Sequence, residues 1–307
     1  MPRIRNHSSF LLTPILLLAA NHVALAWSSA GHMLIAAEAY RDLSPRLQAK
    51  VTDLLKFHPQ YDNWAKAFAS GPGNMDLATY VFVRSSTWPD EIRRHGSQYD
   101  HPHWHYVNYP LKPPAFHFEP GPAPDDDILF GISQCEKTLS DKHAPAELRA
   151  AELSWLVHLV GDLHQPLHAA TLITDTYPAP AGDKGGNDFY VKPAREGIRL
   201  HSFWDQLLGR SANPHTALNE AIRLQAEQPR KSLRELSKAK TPVKWSLESR
   251  TLAIEKAYLN GKLAGSSNPE TAPALPEDYA KSAKAVAEHR AALAGCRLAD
   301  EISKYLR

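Results

Sequence analysis

The chain predicts a mostly α-helical single domain with a small hairpin or loop insertion, and three observations lead there. Apolar residues recur at helical spacing through most of the 307 residues. Capping and proline start signals precede several of these runs. One glycine-rich stretch, 171–197, reads as loop or paired extended chain. No internal repeat, charge run or low-complexity tract divides the sequence, so 27–307 read as one domain.

Residues 1–26 read as a secretory leader. Arg3 and Arg5 form a basic start, and residues 10–20 are an apolar stretch too short to span a bilayer. Val23-Ala24-Leu25-Ala26 supplies a cleavage site, which makes Trp27 the first residue of a secreted or periplasmic protein. No later apolar run is long enough for a membrane helix. Residues 30–43 and 44–57 then predict two helices, with Ser44-Pro45 starting the second. His58-Pro59 breaks the pattern before a helical run over 61–85. Trp88-Pro89-Asp90 opens a short helix or turn that also carries Glu91 and Arg93. The proline- and histidine-rich stretch 100–126 predicts a long irregular loop. Asp125-Asp126-Asp127 opens the next helix, where acids meet the positive end of the dipole.

Helices follow over 127–140 and 146–164. Gly182, Gly185 and Gly186, ahead of Asp188-Phe189-Tyr190-Val191, place the loop or small hairpin. Helices resume over 199–209, 216–226 and 245–262. The serine- and proline-rich stretch 265–277 predicts an exposed connector to a final helix over 277–306.

The leader takes two of the 35 basic residues and none of the 33 acids, so the mature chain is neutral. Bulk electrostatics therefore do not make it a nucleic-acid binder, and any attraction for phosphate has to be local. Of 16 histidines, two leave with the leader; the rest are many for an exported protein and favour metal chemistry. Cys135 and Cys296 lie among helical apolar residues, where they can pair after export or stay as two buried thiols.

The most informative stretch runs from Trp155 to His168. Its apolar residues predict a buried helix, yet His158 and Asp162 share one face four residues apart. Burying an imidazole and a carboxylate is costly unless each has a partner, and a metal ion satisfies both. A single such pair is as compatible with a hydrogen-bonded core. A second pair with the same spacing, His201 and Asp205, favours the metal. Pro166 ends the helix before His168, so that side chain can turn to a different ion.

Further metal-capable groups stand in Trp27-Ser28-Ser29-Ala30-Gly31-His32, Trp88-Pro89-Asp90-Glu91-Ile92-Arg93 and His103-Trp104-His105-Tyr106-Val107-Asn108. In order and internal spacing these motifs resemble the zinc-dependent single-strand-specific nucleases of the mung-bean-nuclease type. That family shares a fold with bacterial zinc phospholipase C, and the resemblance runs from Trp27 to the last helix. It implies this fold and a cluster of three zinc ions. Asp90, His105, His158 and Asp162 would hold one, with Asp162 bridging to a second held by His32 and by the amino nitrogen and carbonyl oxygen of Trp27. His168, His201 and Asp205 would hold the third. Three such ions, offset by three aspartates, leave about +3 in one cleft, which is the local attraction the neutral chain needs.

The resemblance also implies an endonuclease that hydrolyses single-stranded DNA and RNA to 5′-nucleotides. It would act as a 3′-nucleotidase too, work as a monomer on mono- and oligonucleotides, and have no stable membrane association. Asp90 would orient the attacking water and Arg93 would neutralise the phosphoryl oxygens. Tyr106 would stack on a base, with Asn108 and Asn187 as further substrate contacts. The fungal enzymes carry an acid where this chain has Asn108; an amide donates as well as accepts, so base preference need not follow theirs. His164 points off the ligand face and reads as exposed or as support behind the ligands, and His95, His101, His103 and His117 read as non-ligands. The rival readings are a zinc phospholipase C and a secreted zinc-sequestering protein without turnover. Asp90 and Arg93 beside the ligands favour catalysis, and Arg93 with Tyr106 favours the nuclease over the lipase.

Overall fold

The structure is a computed structural model describing residues 27–69, 75–93, 95–114 and 126–306. The leader at 1–26, His117 and Asp125 lie outside those residues. In chain order the first helices are α1 (Ser29–Asp42), α2 (Pro45–Leu55), α3 (Tyr61–Ala69), α4 (Leu77–Ser85) and α5 (Trp88–Glu91). Strand β1 (Pro110–Leu111) precedes α6 (Ile128–Ser140) and α7 (Ala146–His164). A tight 3-10 turn, Pro166–Ala169, leads to β2 (Thr171–Leu172), β3 (Tyr190–Val191) and β4 (Ile198–Arg199). Then follow α8 (Leu200–Asp205), α9 (Pro214–Glu227), α10 (Glu235–Lys238), α11 (Pro242–Leu252) and α12 (Tyr279–Tyr305).

Helix α7 is the axis. Every residue from Ala150 to His164 is buried, as befits a helix that is apolar all round and so has no face to give to water. Helices α1, α6, α11 and α12 pack on it, and α9 closes the outer side of α1. The fold is mostly α and single-domain.

Helix starts follow local chemistry. Ser44 caps α2, Asp127 caps α6, Asn213 caps α9 and Thr241 caps α11, each side chain accepting backbone N–H groups of the first turn. In three of the four, proline fills the next position, where no backbone donor is needed. Asp76 accounts for one departure from expectation. Its Oδ1 accepts from Thr79 N at 2.9 Å and starts α4, so the run over 61–85 is two helices. The run over 245–262 also divides: α11 stops at Leu252, widens into a π turn over Ala253–Ala257 and tightens over Leu259–Gly261. The 199–209 helix ends early, at Asp205.

Strands β3 and β4 pair antiparallel and form the expected hairpin, while β1 pairs parallel with β2 inside the stretch read as irregular loop. The segment 265–277 does more than connect. Tyr190 N donates to Ser266 O and Lys192 N to Pro273 O, both at 2.7 Å, so it lies along the hairpin edge. Cys135 and Cys296 are free buried thiols, and Cys135 Sγ donates to Glu152 Oε2 at 3.0 Å. Among the described residues no helix is long and apolar enough to cross a membrane.

Candidate metal centre

Helix α7 sets His158 and Asp162 one turn apart on one face, both buried. Around them the fold gathers His32 from α1, Asp90 from α5 and His105 from the loop before β1. Asp162 is the hinge of the arrangement. Its Oδ1 lies 3.2 Å from His32 Nε2, and its Oδ2 lies 3.1 Å from both His105 Nδ1 and His158 Nε2. Asp90 Oδ1 stands 3.8 Å from the same two nitrogens of His105 and His158. A separate group holds His168, from the 3-10 turn, with His201 and Asp205 from α8. There His201 Nε2 is 3.1 Å from His168 Nε2 and 3.7 Å from Asp205 Oδ2.

Backbone carbonyls fix the imidazoles. His158 Nδ1 donates to Ser86 O at 2.8 Å, His168 Nδ1 to His105 O at 2.5 Å and His201 Nδ1 to Gly185 O at 2.7 Å. A carbonyl only accepts, so each ring carries a proton on Nδ1 and turns its Nε2 inward, unprotonated in His168 and His201.

Burial holds the His32, His105 and His168 rings below the ordinary imidazole range, and burial with the neighbouring His168 takes His201 down to about 3. Burial alone would raise Asp162, but the imidazoles of His158, His168 and His105 hold it well below the usual carboxylate range. His158 is the exception. Burial pulls it down, yet Asp162 and Asp90 outweigh this and lift it to about 9. A cation entering the group replaces that proton. Asp205 is pushed well up by burial, offset only in part by the Gln165 amide at 2.8 Å.

The donor set fits a divalent metal. His32 Nδ1 and Nε2, His105 Nε2, Asp90 Oδ1 and Asp162 Oδ1 are buried without a hydrogen-bond partner, all in one cluster. Imidazole nitrogens and carboxylate oxygens without a thiolate suit zinc.

Arg93 Nη1 is 3.7 Å from Asp90 Oδ1, and both side chains keep partial access to solvent. Tyr106 is half-buried and Asn108 exposed; their segment is tied to the cluster by Val107 N donating to His168 O at 2.8 Å. Asn187 Nδ2 donates to Lys184 O at 2.9 Å, leaving its buried Oδ1 without a partner. Trp27 is buried, with its indole N–H on Gly161 O at 3.0 Å, and Ser28 N donates to Asp205 O at 3.0 Å. The start of α1 is thereby pinned to residues adjoining both groups.

His164 corrects an expectation. It is neither exposed nor behind the ligands but fully buried on another side of α7, donating to Val160 O and accepting from Arg297 Nη1 at 2.8 Å. Arg290 Nε donates to His164 O, and Glu248 binds both arginines. This buried network anchors the end of α7, and sequence spacing gives no hint of it. Asp183 and Tyr258 were missed as well. Asp183 accepts from Tyr258 Oη at 2.5 Å and Leu172 N at 2.8 Å, and from the N–H groups of Gly185 and Gly186. It thus sets the loop whose carbonyl orients His201. Gly185 holds φ +63°, and a Cβ there would stand 2.5 Å from Leu167 O, so only glycine suits the turn.

Buried imidazoles around an ionised carboxylate on a helical scaffold are groups that could hold metal ions. The chain matches the S1/P1 Nuclease family over residues 27–307, and it belongs to that family. It is similar to Endonuclease 4 of Arabidopsis thaliana, 27% identical over 92% of this chain and 89% of that one. Endonuclease 3 of the same plant is 25% identical over the same shares. Nuclease P1 of Penicillium citrinum is 24% identical over 64% of this chain and 63% of its own. The protein is a hydrolytic nuclease, and nucleic acid is its substrate.

Proposed function

We propose that this protein is an exported, monomeric, trinuclear-zinc endonuclease that cuts single-stranded DNA and RNA to 5′-nucleotides and also removes 3′-phosphates. The observation that carries the reading is Asp162, one oxygen on His32 and the other on His105 and His158, the geometry of a carboxylate shared between two ions. His168, His201 and Asp205 would hold the third ion. The leader is removed after Ala26, so the amino nitrogen and carbonyl oxygen of Trp27 join His32. The family match beginning at residue 27 and the buried seat of Trp27 support this.

Bound zinc supplies Lewis acidity and lowers the pKa of a water toward about 7. The chain's own residues do the rest. Asp90, at the open edge of the cluster, orients the attacking water and receives its proton. Arg93, beside Asp90, holds the non-bridging phosphoryl oxygens as charge builds on them. Tyr106 stacks on a base, while Asn108 and Asn187 hydrogen-bond its edge.

The test combines elemental analysis of the processed protein with one assay on single-stranded DNA, RNA, duplex DNA, a 3′-nucleotide and phosphatidylcholine. Three zincs and preferential release of 5′-nucleotides from single strands are expected. One zinc or none, or turnover of the lipid alone, would overturn the reading.

A further inference from the structure

Two residues past Asp162 and roughly opposite it on α7, the His164 ring meets Trp245 at 5.6 Å and its Nε2 accepts from Arg297. Trp245 and Arg297 belong to the wall of a surface cleft of about 1090 Å³. Lys231, Arg234, Lys238 and Lys240 line the same cleft; all four are exposed, and none makes an ion pair among the described residues. The two acids of the wall are already engaged: Arg230 holds Asp300 at 2.6 Å, and Lys304 stands 3.7 Å from Glu301. Arg297 is 2% exposed and gives its terminal nitrogens to Glu248 and His164, while its Nε is buried without a partner. On a chain whose net charge is only +2, four cations in one concave wall without an ion pair among the described residues are a concentrated positive field.

We propose that this cleft binds the sugar-phosphate backbone of a single-stranded nucleic acid outside the catalytic centre. The proposal rests on the nuclease reading for why such a strand is present, and on the cleft for where it binds. A concave groove with cationic walls suits a flexible polyanion, whereas a bilayer presents a plane. A partly buried contact ties the cleft wall to the chain beside the candidate metal centre. Ser246, one residue past Trp245, is hydrogen-bonded to Tyr109 at 2.9 Å, beside Asn108. A strand held here stays near the site after each cut, raising the local concentration of its remaining bonds. A dinucleotide is too short to gain from it.

The experiment compares the zinc-loaded enzyme with a triple variant, Lys231→Glu, Lys238→Glu and Lys240→Glu, none of which touches the metal centre. Binding of a long phosphorothioate single strand is read by fluorescence anisotropy across a salt series, and cleavage of a dinucleotide is read separately. Four phosphate contacts predict a log–log salt slope near −3, and the variant flattens it by about 2 and weakens low-salt binding by about tenfold or more. Dinucleotide cleavage stays at the wild-type rate. An unchanged slope and affinity would overturn the proposal, as would unchanged strand binding with lost binding to phosphatidylglycerol vesicles. If the wild type cleaves no dinucleotide, the catalytic reading fails while the anisotropy still decides the cleft.

Discussion

Arg93 and Tyr258 separate chemistry from support at the scale of single residues. Arg93 stands beside Asp90 at the open edge of the cluster and ligates nothing. Arg93→Ala should keep its zinc and its Tm but lose about 2–4 kcal/mol of transition-state stabilisation, read as a fall in kcat on single strands. A wild-type rate would remove Arg93 from the mechanism. Tyr258 acts at a distance, through Asp183 and the Gly185 carbonyl to His201. Tyr258→Phe removes one donor from a buried carboxyl, which costs about 1.5–3 kcal/mol. It should also loosen the zinc proposed at His168, His201 and Asp205 ahead of the others. Chelator titration checks this, and a lower Tm with unchanged zinc retention would make the pair purely structural.

The interface between α1 and α12 is the most sensitive contact at the scale of elements, because α1 carries His32 to α7. Gly295 lets the two helices close: a Cβ there would lie 2.5 Å from Glu38 Cβ and 3.5 Å from Ala39 N. Gly295→Ala should therefore cost about 1–3 kcal/mol by overpacking, measured by urea unfolding. Glu38 strains the same interface in another way. It is buried, its Oε1 lacks a hydrogen-bond partner, and burial lifts its carboxyl from 4.5 to about 8 against the pull of Arg41. Between those values the unfolded chain releases a proton that the folded chain keeps, so stability falls as pH rises from about 4.5 to 8. Glu38→Gln should remove this dependence. It should be more stable than wild type by about 3 kcal/mol at pH 7, an advantage that fades as pH falls toward 4.5 and below. Parallel stability curves across that range would show that Glu38 does not titrate on unfolding.

At the scale of the whole molecule, the proposed function ties export to assembly of the site. An α-amino group, with a reference pKa near 7.7–8.0, yields its proton readily to a metal, whereas an amide nitrogen is a poor ligand. Protein carrying extra residues before Trp27 should lose the zinc shared by Trp27, His32 and Asp162, along with most activity. It should keep the zinc at His168, His201 and Asp205. Zinc stoichiometry and single-strand cleavage of extended and processed protein, with intact mass confirming each form, make the comparison. Equal activity would mean that Trp27 serves only as a buried aromatic.

Much of this was legible in the residues alone. The helical class followed from apolar spacing. The α7 pair His158/Asp162 and the α8 pair His201/Asp205 were visible because helical periodicity is local and puts i and i+4 on one face. What depended on distant chain segments was not legible. The role of 265–277 needed its pairing along β3, whereas the split of 61–85 rests on a local signal that was missed, the Asp76 cap on Thr79 N. The burial of His164 against Arg290 and Arg297 joins residues over a hundred positions apart, and the basic cleft brings 231–240 to Arg297 on the last helix. Which groups could take a metal is written in side-chain chemistry, which sequence states outright. The carbonyls of Ser86, His105 and Gly185 that aim those imidazoles carry no side-chain signature, and only the tertiary fold brings them to the rings.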